Sequence, residues 1–162
     1  MTMTRTLILL RHAKSAWPQE TPDVARPLAA RGRRDAPAVG CWLREQAPRI
    51  DLVMCSTAVR AVQTWDLAAA QLDAIPRVRH EERLYGASAE DLLTATQELP
   101  HTASTAALVG HNPGLEDFLT LLTGVVKPLK TSAIAVITTP GGWEQAGSGS
   151  WTLEALATPR GR

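Results

Sequence analysis

The sequence predicts an α/β fold, and two observations carry that prediction. Short apolar runs alternate with longer amphipathic ones along the chain, as a sheet covered by helices requires, because each layer must bury its apolar face on the next. The first run, Thr6, Leu7, Ile8, Leu9 and Leu10, is continuous rather than alternating. A central strand buried on both faces reads that way. A length of 162 residues suits one domain, residues 1–162, with a single core.

The elements follow in order. Ala29 to Gln46 carries Val39, Trp42 and Leu43 at helical spacing, with Pro37 inside it either as a kink or as the true start. Asp51 to Cys55 is a second short strand. A helix over Ala58 to Leu72 follows, with Ser56 or Thr57 as its N-cap. Pro76 to His80 reads as an edge strand. Ser88 to Leu99 reads as a helix whose cap, Ser88, has Asp91 three residues on, a capping box with a shorter acid. Ala106 to Val109 is another apolar strand. Pro113 to Leu122 is a helix with proline at or near its first position. Ala133 to Ile137 is β-branched, Gly141 and Gly142 make a turn, and Trp151 to Leu156 closes the sheet by alternation.

Composition narrows the function. A formal net charge of +1 gives no bulk pull toward nucleic acid or membrane. Cys41 and Cys55 are the two cysteines; they form neither a disulfide framework nor a zinc pattern, and read as small buried hydrophobes. The run Thr6 to Leu10 is too short for a signal segment or a membrane span, so a cytoplasmic location is expected. The five tryptophans are spread without basic interleaving, which argues against a nucleic-acid stacking platform; only Trp17 lies near the chemistry described next.

Three apolar strands end in chemically capable residues: the first in Arg11 and His12, the second in Ser56 and Thr57 shortly before Arg60, the fourth in Gly110, His111 and Asn112. In open α/β sheets ligands bind at the carboxyl ends of the strands, so these corners converge if the strands are parallel neighbours. Arginine forks and helix N-termini both favour phosphate oxygens. Neutral imidazole can attack phosphorus, and nearby cations favour the neutral form. His12 is the candidate nucleophile, with Arg11, Arg60 and His111 as donors to the phosphoryl oxygens. No carboxylate pair accompanies them, and no metal or other cofactor is expected. Each residue taken singly has a plainer reading: a satisfied histidine after a strand, an arginine on a helix surface.

From Leu10 to Trp17 (Leu-Arg-His-Ala-Lys-Ser-Ala-Trp) the sequence resembles the histidine phosphatase superfamily, also called phosphoglycerate mutase-like, with Ala13 in place of the signature's glycine. Within it the chain looks like the SixA-type phosphohistidine phosphatase branch. Arg26 to Gly32 resembles the family's RPL…G element, Ser56 to Thr64 its S…RA.QT motif, and Val109 to Gly114 its second-histidine motif. Thr131 to Ala135 resembles a late strand of that branch. These stretches, in order, lie within a resemblance running from about Leu7 to Leu156. It implies a three-layer α/β/α fold with a mainly parallel central sheet. It also implies a phosphatase working through phospho-His12, with Arg11, Arg60 and His111 completing the phosphate pocket. Glu81 to Tyr85 resembles the segment where mutases hold an acid/base glutamate, which makes Glu82 a candidate general acid, or else a surface residue paired with Arg79 or Arg83. Ser15 and Asn112 either line the site or serve as turn and cap residues.

Pro18 follows Trp17 where mutases have asparagine, and the chain has no room for the insertions that cover a sugar phosphate. An open site suits a bulky substrate such as phosphohistidine on a protein. The alternatives are a phosphatase of small phosphomonoesters that needs Glu82, a phosphate-binding module without turnover, and a metal site on His12 and His111.

Overall fold

The computed structural model describes residues 4–162. Its elements are β1 (Arg5–Arg11), α1 (Ala30–Gln46), β2 (Leu52–Ser56), α2 (Val59–Ala69), β3 (Arg77–Glu81), α3 (Ala89–Gln97), β4 (Thr105–Gly110), α4 (Gly114–Thr123), β5 (Ile134–Thr139) and β6 (Thr152–Ala157). One sheet holds the strands in the order β3-β2-β4-β1-β5-β6. β3, β2, β4 and β1 run parallel, and β5 and β6 add antiparallel strands at one edge.

Alternation along β1 divides the core into two layers. Leu7 and Leu9 pack with Leu92 of α3 and Leu115, Phe118 and Leu119 of α4. Ile8 and Leu10 pack with Val39 and Leu43 of α1 and Ala61 and Trp65 of α2. β1 is buried on both faces because it has helices on both, which explains its unbroken apolar run. Phe118 and Trp65 are almost fully buried, and each such side chain contributes about 1.5–3 kcal/mol. The fold is the three-layer, mainly parallel α/β/α architecture that the sequence predicts. No helix among the described residues is long and apolar enough to cross a membrane.

Local details differ from expectation in three places. α1 runs through Pro37 from Ala30, so the proline does not mark its start. α2 begins at Val59 with Ala58 as an N-cap that lends no side-chain bond; Ser56, expected as its cap, accepts instead from Ala58 N–H at 3.2 Å and turns toward His111. Two short 3-10 turns, Asp23–Ala25 and Glu82–Leu84, have no expected counterpart. The Ser88–Asp91 capping box forms as read.

Two glycines of α1 set how closely it approaches its neighbours. A Cβ on Gly40 would stand 2.1 Å from the carbonyl oxygen of Ala68 in α2, and one on Gly32 2.1 Å from that of Lys14. The second contact presses the start of α1 onto the loop that leaves β1. At the other end of the chain, Arg160 donates to the buried Asp35 carboxylate of α1 and to the Thr131 carbonyl, and Gly161 N–H also donates to Asp35.

Candidate active site

The parallel strands β1, β2 and β4 are neighbours, so their carboxyl ends lie side by side. His12 follows β1. Its backbone N–H donates to Gly110 O at the end of β4, and its carbonyl accepts from Ser132 N–H ahead of β5. Its ring is 7% exposed. Nδ1 lies 2.7 Å from Ala13 O. A carbonyl can only accept, so Nδ1 carries the proton and Nε2 keeps its lone pair. Ala13 N–H donates to Thr64 Oγ1, which itself donates to Arg60 O, and this ties the first turn of α2 to the β1 loop.

A cavity of about 230 Å³ opens beside this ring, and its wall includes Arg11, His12, Ser15, Arg60, His111 and Asn112. The rings of His12 and His111 stand 5.2 Å apart between centroids. Arg11 Nη1 donates to Leu129 O, and His111 Nε2 lies 2.8 Å from Ser56 Oγ. Arg11 Nε, Arg60 Nε and His111 Nδ1 are buried without a partner. The two guanidinium groups and the second imidazole share the cavity wall with His12, a donor set that suits an anion with several oxygens.

Burial pushes His12 down to about 3, against the pull of the Ala13 carbonyl; His111, Arg60 and Arg11 lower it further. Burial likewise lowers His111 to about 4, helped by Arg60 and opposed by Asp23. Both rings are therefore neutral at pH 7. The folded chain binds fewer protons at these sites than the unfolded chain, so their contribution to stability falls as pH drops from about 6.5 toward 3. For catalysis the expected outcome is a kcat/KM that keeps its enzyme-side value down to about pH 5 and declines only below about 4. A pH–rate profile corrected for the substrate's own ionisation checks this. An enzyme inflection near 6.5 would contradict it.

Sequence reasoning missed Asp23. Its carboxylate accepts from Arg60 Nη2 at 3.0 Å, from Arg26 Nε at 3.0 Å and from the Tyr85 hydroxyl, while its carbonyl accepts from Arg60 Nη1 at 2.7 Å. The Tyr85 bond first, then Arg60 and Arg26, hold this carboxyl far below the usual range. Asp23 thus fixes both terminal nitrogens of Arg60. Tyr85 also meets His111 edge-on, with centroids 5.6 Å apart. No motif isolates Asp23 in the sequence; only its place three residues before Arg26 points to it.

Of the other expected residues, Ser15 lines the cavity with its Oγ accepting from Arg26 Nη1. Asn112 lines it too, but its side-chain amide is committed to the fold: Nδ2 donates to Glu116 and to Leu129 O, and Oδ1 accepts from Glu116 N–H. Glu82 is exposed and absent from the cavity wall. It is not paired with Arg79 or Arg83 either; Arg83 pairs with Glu81 and Glu98. The same segment sets Tyr85 against Asp23 and His111 beside the cavity, while Glu82 faces solvent in a 3-10 turn. Among the described residues no group of three His, Cys, Asp or Glu side chains is placed to hold a metal ion.

The model of the histidine phosphatase superfamily (branch 1) matches residues 7–116. The chain belongs to that superfamily. Within it the chain is similar to the SixA-type branch: a provisionally assigned phosphohistidine phosphatase SixA from Nakamurella multipartitia superposes with a TM-score of 0.85 at 31% identity, covering 96% of each chain. A similarly assigned SixA from Agrobacterium tumefaciens gives 0.77 at 26%, over 96% of this chain and 99% of that one. By sequence, an uncharacterized protein of Mycobacterium tuberculosis (strain H37Rv) is 38% identical over 93% of this chain and all of its own. By family, then, this SixA-type chain is a phosphatase.

Proposed function

We propose that this chain removes the phosphoryl group from phosphohistidine on a protein, through a covalent intermediate on His12 and without a metal ion. The observation that carries the reading is a His12 ring held through Nδ1, with Nε2 left free, in one cavity wall with Arg11, Arg60 and His111. The SixA neighbours support the substrate class. Nε2 attacks phosphorus, and the bond from phosphorus to the substrate nitrogen breaks. The electron pair returns to that nitrogen, and the ring, protonated beforehand on its other nitrogen, departs as neutral imidazole. Water then attacks phospho-His12, the pair returns to Nε2, and orthophosphate is released.

Arg11 and Arg60 hold the equatorial oxygens. We assign the Ser56 hydroxyl as donor to His111 Nε2 while its oxygen accepts from Ala58 N–H; that tautomer leaves Nδ1–H as the donor to the phosphoryl oxygens. The donor set is guanidinium and imidazole nitrogen, which suits an oxyanion and repels a cation.

The leaving group decides between phosphoramidate and ester. An alkoxide needs a general acid, worth about 10²–10⁴-fold in rate. Among the described residues the cavity wall offers no carboxylic acid, and neighbouring Asp23 stays ionised. Imidazole needs no such help. The test follows hydrolysis of a histidine-phosphorylated protein by ³¹P NMR in the wild type and in Glu82→Gln. The expected result is turnover in both, within about threefold. A loss of about 100-fold in the variant would assign Glu82 as the acid and favour small phosphate esters.

A further inference from the structure

Trp17 is 74% exposed, an unusual state for so large an apolar side chain, yet it forms part of the wall of the His12 cavity. Its indole is held from one side: the Arg26 guanidinium lies 3.4 Å from the ring centroid. That guanidinium cannot drift. It is 6% exposed, with Nε donating to Asp23 and Nη1 to Ser15 Oγ and Ala16 O. The backbone beneath is fixed as well, by Ala16 N–H on Pro27 O and by the bridge between Ser15 and Leu28. The result is a rigid aromatic plane at the cavity mouth, backed by a cation on one face and open to solvent on the other. Covering Arg26 accounts for one face of the indole, while the other face, in a residue 74% exposed, is left for a ligand.

We propose that the open face of Trp17 is a binding site for the group that leaves phosphorus, and that it fits a flat nitrogen heterocycle such as the imidazole of phosphohistidine. The inference rests on the placement of phosphorus beside His12 given above. In-line displacement sends the leaving group out opposite Nε2, and among the side chains of the cavity wall the exposed indole of Trp17 is the one that a departing planar ring stacks on and a tetrahedral or alkyl group does not. Stacking acts on the bound substrate and on the transition state alike, so its loss appears in KM rather than in kcat.

The test compares Trp17→Leu, which keeps an apolar cover over Arg26 without a ring, and Trp17→Phe, which restores a ring. Three substrates are used: a phosphohistidine peptide, p-nitrophenyl phosphate and ringless acetyl phosphate. The quantity read is kcat/KM for each ring-bearing substrate divided by that for acetyl phosphate. Trp17→Leu is expected to lower it by about tenfold through KM, and Trp17→Phe to bring it back within about threefold of wild type. An unchanged ratio, or an equal fall on all three substrates, overturns the proposal, since Trp17 would then do no more than cover Arg26. If the wild type fails on the phosphohistidine peptide alone, the function proposed above is wrong, while the p-nitrophenyl ratio still decides the role of Trp17.

Discussion

Replacing His12 by alanine is expected to lower kcat/KM by about 10⁴–10⁶-fold, the effect of removing a nucleophile rather than a stabilising contact. His111 lines the same cavity, but its Nε2 is engaged with Ser56. Rapid quench with a labelled substrate supplies the second readout. The wild type should accumulate an acid-labile, base-stable phosphoryl adduct, and the variant none. A labelled adduct surviving in His12→Ala would move the nucleophile elsewhere and dismantle the mechanism. Tungstate affinity, measured alongside, separates loss of the nucleophile from collapse of the phosphate pocket.

Arg60→Gln is expected to cost about 10²–10³-fold in kcat, the usual consequence of removing a preorganised donor to developing charge. Its partner gives the more informative experiment. Because Asp23 fixes both terminal nitrogens of Arg60, Asp23→Asn should loosen the guanidinium and cost about tenfold by itself. On the Arg60→Gln background the same change should cost much less, leaving only what Asp23 does through Arg26 and Tyr85. Additive losses in this double-mutant cycle would mean that Asp23 acts other than through Arg60. Thermal melts of the four proteins show whether the unpaired carboxylate or guanidinium disturbs the fold; the Arg60 side chain is buried and that of Asp23 about half exposed, so the orphaned guanidinium is the costlier of the two.

Residues that act through their own strand or helix were legible in the sequence. The continuous run of β1, the capping box of α3 and the polar ends of three strands each follow from local periodicity or local chemistry, and the structure brings Arg11, His12, Arg60 and His111 to one cavity. What escaped depends on the path of loops. Asp23 reaches Arg60 across 37 positions and Tyr85 across 62, and no spacing rule links residues so far apart. Ser56 or Thr57 was read as the cap because caps are local; Ala58 occupies that position, and Ser56 Oγ, besides accepting from Ala58 N–H, meets His111, 55 positions on. Glu82 was singled out by resemblance of a segment; in the structure it is exposed in a 3-10 turn, and Tyr85, three positions on, is the residue of that segment that meets Asp23 and His111.

The same long separations bear on how activity emerges after synthesis. Arg11 is steadied by the carbonyl of Leu129, 118 positions away, and the C-terminal Gly161 is anchored on Asp35, 126 positions back. Loops of that span close late, because chain entropy opposes them until most other contacts exist. Recovery of turnover during refolding should accordingly trail recovery of helical circular dichroism, and an amino-terminal fragment ending before Leu129 would carry both histidines and still leave Arg11 unanchored.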